Sequence, residues 1–511
     1  MASSAPGVNV NVTASASNSQ GINPTGQWFV VGNAAGPANV VVPCSSTADF
    51  TTYFGQFVGG QLTGRYTVSP ASVVLDSTLL YDALDIYFKE GGLVANVSIL
   101  QPASGATAAV ATLGTNSFTA VSNGSWANSS NASPAGLVIN FTNTTINTTT
   151  TYAASVVLNG VLIAASPKFS ADHAELQLNQ WLNSLQGAKN LVSVSTVAGS
   201  AALPTTNTTT SIYFASGADA TTADSDITDA LSQFIDTYGP GQVSYPGAHS
   251  ETAYAALVNH AQQYNRIAIL DANPSHNPAA LIQDVNTLQS TGLDTSHAAI
   301  FAPWVNYPGA TQGFARTVAP SALAAGKMAA NDTKYDANVP SAGSANGASN
   351  YATGVTTVYS ANDRALLNNA GVNVIRTVSN TGAIAIYGYR SLDTSGNWTY
   401  LNNARFRMQI IQDFDVAGEA FMFQEIDGKG HVFSGFAGAL SGICQQYWTR
   451  GSLYGASADQ SFSVNVGPQV NTPATIAAGQ INALVNLKMS PFGEFVTVNV
   501  TKYLSNATLP A

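Results

Sequence analysis

Strict alternation of apolar and polar residues marks the two ends of this chain. Near the start, Val8-Asn9-Val10-Asn11-Val12-Thr13 follows Pro6-Gly7, and near the end Phe495-Val496-Thr497-Val498-Asn499-Val500-Thr501 keeps the same period of two. That period predicts strands with one covered face. Residues 14–25 are small, polar and broken by Gly and Pro, which predicts a linker and leaves the first strand without a nearby hairpin partner.

Between the ends, the pattern predicts an α/β core interrupted once. Residues 27–32 read as the first core strand and 47–55 as a short helix or turn with Phe50, Tyr53 and Phe54 inward. Residues 76–88 read as a helix burying Leu80, Leu84 and Tyr87, stopped by Gly91-Gly92, with a strand at 93–100. From 101 to 210, Asn, Thr and Ser dominate. β-like pieces at 117–122, 136–141 and 153–164, with one amphipathic helix at 171–185, predict a separately folded β-rich insertion. Alternation then returns, with strands at 211–214, 242–245, 267–270 and 298–305 and helices at 226–238, 251–264 and 278–289. This spacing argues for a parallel sheet covered on both faces. Residues 338–356 read as a long loop, and 373–376 and 384–387 as strands. Asn402 or Asn403 caps a helix with Phe406, Ile410, Phe414, Ala417 and Phe421 at helical spacing; a second helix repeats the stripe with Val432, Phe436, Leu440, Ile443 and Tyr447. Two such stripes most simply face each other or a shared sheet.

The expected fold class is thus α+β / α/β multidomain. It has an α/β core, a β-rich inserted domain, an α+β C-terminal domain and extended terminal β-arms. The expected divisions are arm and linker 1–25, core 26–100, insertion 101–210, core 211–368, C-terminal domain 369–494 and C-terminal arm 495–511.

Charge narrows the partners. Only 9% of the 511 residues are charged, with 17 Lys+Arg against 27 Asp+Glu, whereas an average chain carries roughly 25%. The surface must be covered by Ser, Thr, Asn, Gln and Gly. So few cations argue against nucleic acid and against an anionic membrane surface. No uninterrupted apolar run is long enough to predict membrane insertion. The first basic residue is Arg65, so no signal-peptide start is expected, and folding in a cytoplasm is. Cys44 and Cys444 make neither a disulfide scaffold nor a metal pattern and read as small buried apolar residues.

Candidate chemistry is thin. No H-E-x-x-H, C-x-x-C, G-x-S-x-G, Walker loop or G-x-G-x-x-G after a strand occurs, and the six histidines are isolated from one another. No catalytic residue, cofactor or metal is expected. Asp271 ends an apolar strand, where α/β enzymes place working carboxylates, and His276 follows; the plainer reading is a turn cap. His249-Ser250 reads as a loop pair or a helix cap. Two enzyme or binding readings remain beside a structural one. The first is a glycan-binding or glycan-cleaving surface protein with a Thr/Asn-rich β domain, resting on composition and on Trp126 and Trp398. The second is an α/β hydrolase using Asp271 and His276.

The ends carry the more distinctive signal. Unpaired strand edges invite other chains and are usually blunted by Lys, Pro or a bulge. Val8, Val10 and Val12, and Phe495, Val496, Val498 and Val500, have almost no charge to protect them. They are the candidate subunit-binding residues. Pattern alone leaves two readings open: each end adds to a sheet of another subunit, or the ends pair with each other or with their own core.

The order of short motifs along the chain resembles contractile tail sheath proteins of the bacteriophage, tailocin and contractile-injection type. Pro6-Gly7-Val8-Asn9-Val10-Asn11 resembles a P-G-V-Y-V-E start, Gly32 to Pro37 a G-x-x-x-G-P turn, and Ser46 to Gly55 an S-x-x-x-F-x-x-x-F-G piece. Ile267 to Asp271 and Ala302 to Val305 sit like A-I-L-D and Y-P-W segments, and Ala319 to Gly326 resembles P-P-S-G-x-x-A-G. The C-terminal part is closest: Asn369 to Arg376 resembles L-N-x-x-G-I-N-V-I-R, and Tyr387 to Leu392 resembles W-G-A-R-T-L. Trp398 to Arg407 resembles W-x-Y-V-N-V-R-R through Asn402 and Arg405, and Pro491 to Val500 resembles P-A-E-F-V-x-x-x-I. Gln424-Glu425-Ile426-Asp427 departs from the family's F-E-P-N turn, and many charged positions are neutral here.

The resemblance implies a non-enzymatic virion component, without cofactor, assembled in a host bacterial cytoplasm. It implies a homo-oligomer in a helical sheath of stacked rings, expected to be hexameric, around a tail tube protein, with baseplate and tail terminator proteins as further partners. The insertion would point outward and the C-terminal domain inward. Contraction would drive the tube through the bacterial envelope during genome ejection, with the arms joining neighbours through shared sheets.

Overall fold

A computed structural model describes residues 24–58, 61–63, 77–114, 116–132, 135–194, 204, 207–308 and 315–494. The seven candidate arm residues, from Val8 to Val12 and from Phe495 to Val500, lie outside them. The chain divides into two compact units, Met1–Gln412 and Asp413–Ala511.

The first unit is organised by a mixed eight-stranded sheet. Its strands are β1 (Trp28–Gly32), β2 (Val42–Cys44), β3 (Ala95–Ile99), β4 (Gln242–Ser244), β5 (Ile267–Asp271), β6 (Ala298–Ala302), β7 (Val372–Thr377) and β8 (Ile384–Ile386). Their spatial order is β2-β3-β1-β4-β5-β6-β7-β8. The six inner strands run parallel, and only the edge strands β2 and β8 are antiparallel. β1, β3, β5 and β6 are buried at every position, as a sheet covered on both faces requires.

Helices cover the two faces. α1 (Ser77–Lys89), α5 (Pro320–Lys334) and the start of α7 (Leu401–Glu419) contribute Leu84, Tyr87, Leu323, Met328, Leu401 and Met408 to one apolar cluster. α2 (Ile227–Ser232), α3 (Glu251–Gln263), α4 (Pro278–Gln289) and α6 (Ala361–Asn369) contribute Leu231, Leu257, Leu281 and Leu367 to the other. Local signals set the helix starts. Ser250 accepts from the Ala253 amide, Asn277 accepts from Ala280 ahead of Pro278, and Ser360 forms a capping box with Asp363.

The helix expected over 226–238 stops at Ser232. The Arg266 guanidinium donates to the carbonyls of Phe234 (2.7 Å), Ile235 (3.0 Å) and Gly239 (3.0 Å), holding the chain after Ser232 in a non-α-helical turn. The β-rich stretch has its own core, including Phe118, Leu137, Phe141, Leu178 and Leu182. There, the strand expected over 153–164 is a hairpin, Thr149–Leu158 and Val161–Ala165, turning through Asn159 and Gly160 at φ 51 and 81. The strand expected at 211–214 pairs with 138–142 in this stretch rather than with the main sheet.

The strands expected to open a C-terminal domain at 369 are β7 and β8, which complete the main sheet; the compact division falls within α7, between Gln412 and Asp413. Asn373 explains why its edge holds. Its Nδ2 donates to the carbonyls of Ile300 (3.1 Å) and Arg390 (2.8 Å), and its Oδ1 accepts from the Arg390 amide at 2.6 Å. A Cβ at Gly388 would come within 3.1 Å of the Asn373 Cα.

The second unit continues α7 and adds α8 (His431–Thr449) and a two-stranded antiparallel sheet, β9 (Phe462–Asn465) with β10 (Leu484–Leu487). Phe421 packs against Phe436 with ring centroids 5.2 Å apart and planes tilted by 54°, so the two helical stripes touch at this end. Cys44 and Cys444 are buried free thiols.

Candidate functional site

The chain runs from β1 to β3 on one side and to β4 on the other. A doubly wound sheet opens a ligand crevice at the carboxyl ends of such a pair. Here only a small cavity of about 30 Å³ remains, lined by Ala34, Gly36, Leu100, Gln101 and Trp126. Thr222 donates to Asn33 just beyond β1 at 2.7 Å, and the loop after β4 is tied down by Asp271. The Asp271 carboxylate accepts from the Gly247 amide (2.9 Å), the Ser321 amide (2.6 Å) and the Ser321 hydroxyl (2.8 Å). It therefore caps the start of α5, where a helix terminus favours an anion. Burial still pushes its carboxyl up to about 6. His276 is engaged elsewhere, with Asp284 (2.7 Å) and Asn273 (3.2 Å). The hydrolase reading of this pair thus gives way to a cap and a separate His–Asp contact.

The aromatics behind the glycan reading are not free platforms. Trp126 is buried, and the Arg407 guanidinium covers the ring of half-buried Trp398 at 4.4 Å. Among the described residues, no group of His, Cys, Asp and Glu is placed to hold a metal ion, and no helix is long and apolar enough to cross a membrane.

The most developed polar constellation sits where the described chain begins. Thr25 is only 1% exposed. Its hydroxyl donates to Asp332 of α5 at 2.8 Å, and its carbonyl accepts from Gln242 of β4 at 2.5 Å. Arg405 of α7 meets Asp332 with both fork nitrogens, at 3.1 and 2.5 Å, and reaches the Thr25 carbonyl at 3.5 Å and the Tyr389 hydroxyl at 3.3 Å. Asp332 and Arg405 are fully buried. Burial raises the Asp332 carboxyl, with Arg405 opposing, and the Arg405 guanidinium is held well above its ordinary value by Asp332. Sequence reasoning had Arg405 as a motif residue but missed its partners. The available signal was a lone Asp in the Ala-rich stretch 322–332 of a chain so poor in charge.

The second unit presents a different surface. The turn between α7 and α8 exposes Met422 and holds Phe423 in the left-handed region at φ 61 with its ring fully exposed. Gln424 donates back to the Ala420 carbonyl at 2.6 Å, and Asp427 accepts from the His431 amide at 3.0 Å, which fixes the turn.

No protein-family model and no curated protein matches the chain. Solved structures do. A chain of the anti-feeding prophage helical sheath in its contracted state aligns over 98% of this chain and 99% of its own, with a TM-score of 0.53 and 17% identity. A chain of the PVC sheath complex of an extracellular contractile injection system, also contracted, aligns over 99% and 100%, with a TM-score of 0.54 and 15% identity. A sheath tail protein of Listeria innocua aligns over 87% and 89%, with a TM-score of 0.54 and 14% identity. The chain has the fold of contractile sheath proteins. The alignments with the two contracted-sheath chains take in 98–99% of this chain.

Proposed function

We propose that this chain is a structural subunit of a contractile tail sheath, which polymerises as stacked rings around a tail tube and contracts to drive the tube through a bacterial envelope. The observation that carries this is the full-length agreement, in both directions, with chains of contracted sheaths. One further structure with this fold comes from a six-fold symmetrised baseplate assembly of the anti-feeding prophage, with a TM-score of 0.55 and 16% identity. It supports hexameric rings and a baseplate partner. A tube protein and a tail terminator complete the set, and the particle, phage or injection machine, is the location.

In this reading the arms at Val8–Val12 and Phe495–Val500 are donated strands. β9 and β10 suit the role of acceptor, since among the described residues they form a sheet only with each other. A two-stranded sheet is marginal in water and gains from a third strand. No step of the role needs an active site. Energy for contraction is stored in the assembled lattice, as a modest difference between two packings multiplied over many subunits.

The test is co-expression with a tube protein from the same source and imaging of the product. Sheathed tubes are expected. Soluble subunits that never decorate a tube at any concentration count against the reading.

A further inference from the structure

We propose that Thr25, Asp332 and Arg405 are the mechanical anchor of the N-terminal arm, passing load on the arm into α5 and α7. The inference rests on the strand-sharing reading above, because a strand lent to a neighbour holds that neighbour only if its near end is fixed.

A chain leaving a domain usually does so from an exposed surface. This one is gripped at Thr25 and Gly26 by side chains from four elements. Asp332 of α5 takes the Thr25 hydroxyl, while Gln242 of β4 and Arg405 of α7 hold its carbonyl. Tyr87 of α1 donates to the Gly26 carbonyl at 3.3 Å. A Cβ on Gly26 would stand 3.4 Å from the Ala329 Cα, so the backbone lies flush against α5.

The chemistry of the grip matters. A buried ion pair is rarely more stabilising than apolar side chains of equal volume. What the two-pronged Arg405–Asp332 fork adds is direction. Apolar contacts can slide when pulled, whereas these bonds act in parallel on two adjacent residues. Without the anchor, slack from the root would lengthen the linker and dilute the arm at its acceptor. Arg405 lies one turn into α7, which continues as one helix past Gln412.

Optical-trap handles at residues 10 and 290 of the full chain load the arm against the main sheet. At fixed force, Thr25→Val keeps the shape and removes the hydroxyl donor; it should shorten the lifetime of the first detachment about tenfold, the value of one hydrogen bond to a charged group. Arg405→Lys, which loses the fork, should shorten it at least as much. Thermal unfolding of the full chain is expected to move by a few degrees at most in Thr25→Val, which separates anchoring from folding. Unchanged lifetimes in both variants overturn the anchor. If the wild-type chain never polymerises but the variants detach early, the sheath reading falls and the anchor stands. If polymers form and lifetimes are equal, the anchor alone falls.

Discussion

Residues 24–412 bury three apolar clusters, whereas the described part of the second unit buries only Val432, Leu440, Cys444, Tyr447 and Leu453 as apolar side chains and leaves Val416, Met422, Phe423, Tyr454, Ile476, Leu484 and Phe492 exposed. So small an apolar core leaves little burial to offset the chain entropy of the segment. Scattered exposed apolar side chains are ordinary, and the first unit has them too, such as Leu162, Val358 and Leu366, so the contrast lies in the core. Most of the buried apolar surface lies in the first unit, and little of it lies in the described part of the second.

The largest effect that could break this contrast is isolation. Residues 413–511 expressed alone should lack cooperative thermal unfolding by circular dichroism. A sharp transition in that fragment would remove the contrast.

Titration of the first unit comes next. Burial, with the Arg266 charge beside it, pushes His260 down to about 3, against an unfolded value near 6.5. The unfolded chain then binds the extra proton first, so stability is lost as pH falls from about 6.5 toward 3, by about 4–5 kcal/mol over the whole window. Asp271 works the other way. Its folded value of about 6 lies above the unfolded one, so its contribution is present below about pH 4 and is lost as pH rises through 6. Melts of the full chain between pH 4 and 7 should therefore show a flatter acid limb in His260→Gln than in wild type. Identical limbs would mean that the histidine is not held neutral.

Removing one member of the buried pair comes third. Asp332→Ala leaves the Arg405 charge buried without its counter-ion and should cost about 3–5 kcal/mol, read by urea denaturation. Leu270→Ala, in the middle of β5, should cost about 2–5 kcal/mol by leaving a cavity. The smallest effect belongs to the second unit: Phe423→Ser should change the stability of the unassembled chain by no more than about 0.5 kcal/mol, because the ring is exposed. A larger loss would show that the ring is already packed before assembly.

Much of the main sheet was legible in the chain, for a physical reason. Fully apolar runs such as 267–270 sit between turn residues and helices with ordinary caps, and α4 was readable to the residue from Asn277-Pro278 onward. α5 was not, since an Ala-rich helix buried on nearly every side carries no amphipathic stripe. The hairpin at Asn159-Gly160 was missed although its dipeptide is the strongest short-range turn signal, because a twelve-residue apolar-rich run masked it. β9 was readable, since Phe462-Ser463-Val464-Asn465-Val466 alternates strictly, whereas β10, with Leu484 and Val485 adjacent, lacks a clean period of two. The anchor was half legible. Arg405 stood out in a known motif, but Thr25 and Asp332 lie hundreds of residues apart in sequence and meet only in three dimensions.

Assembly as proposed depends on strands exchanged between copies. Negative-stain imaging of the purified full chain beside a chain lacking residues 1–13 tests this most directly. Long tubes or stacked rings from the full chain, and dispersed subunits with unchanged main-unit melting from the truncated one, are the predicted result. Persistent monomers of the full chain at high concentration, or tubes from both, would contradict it.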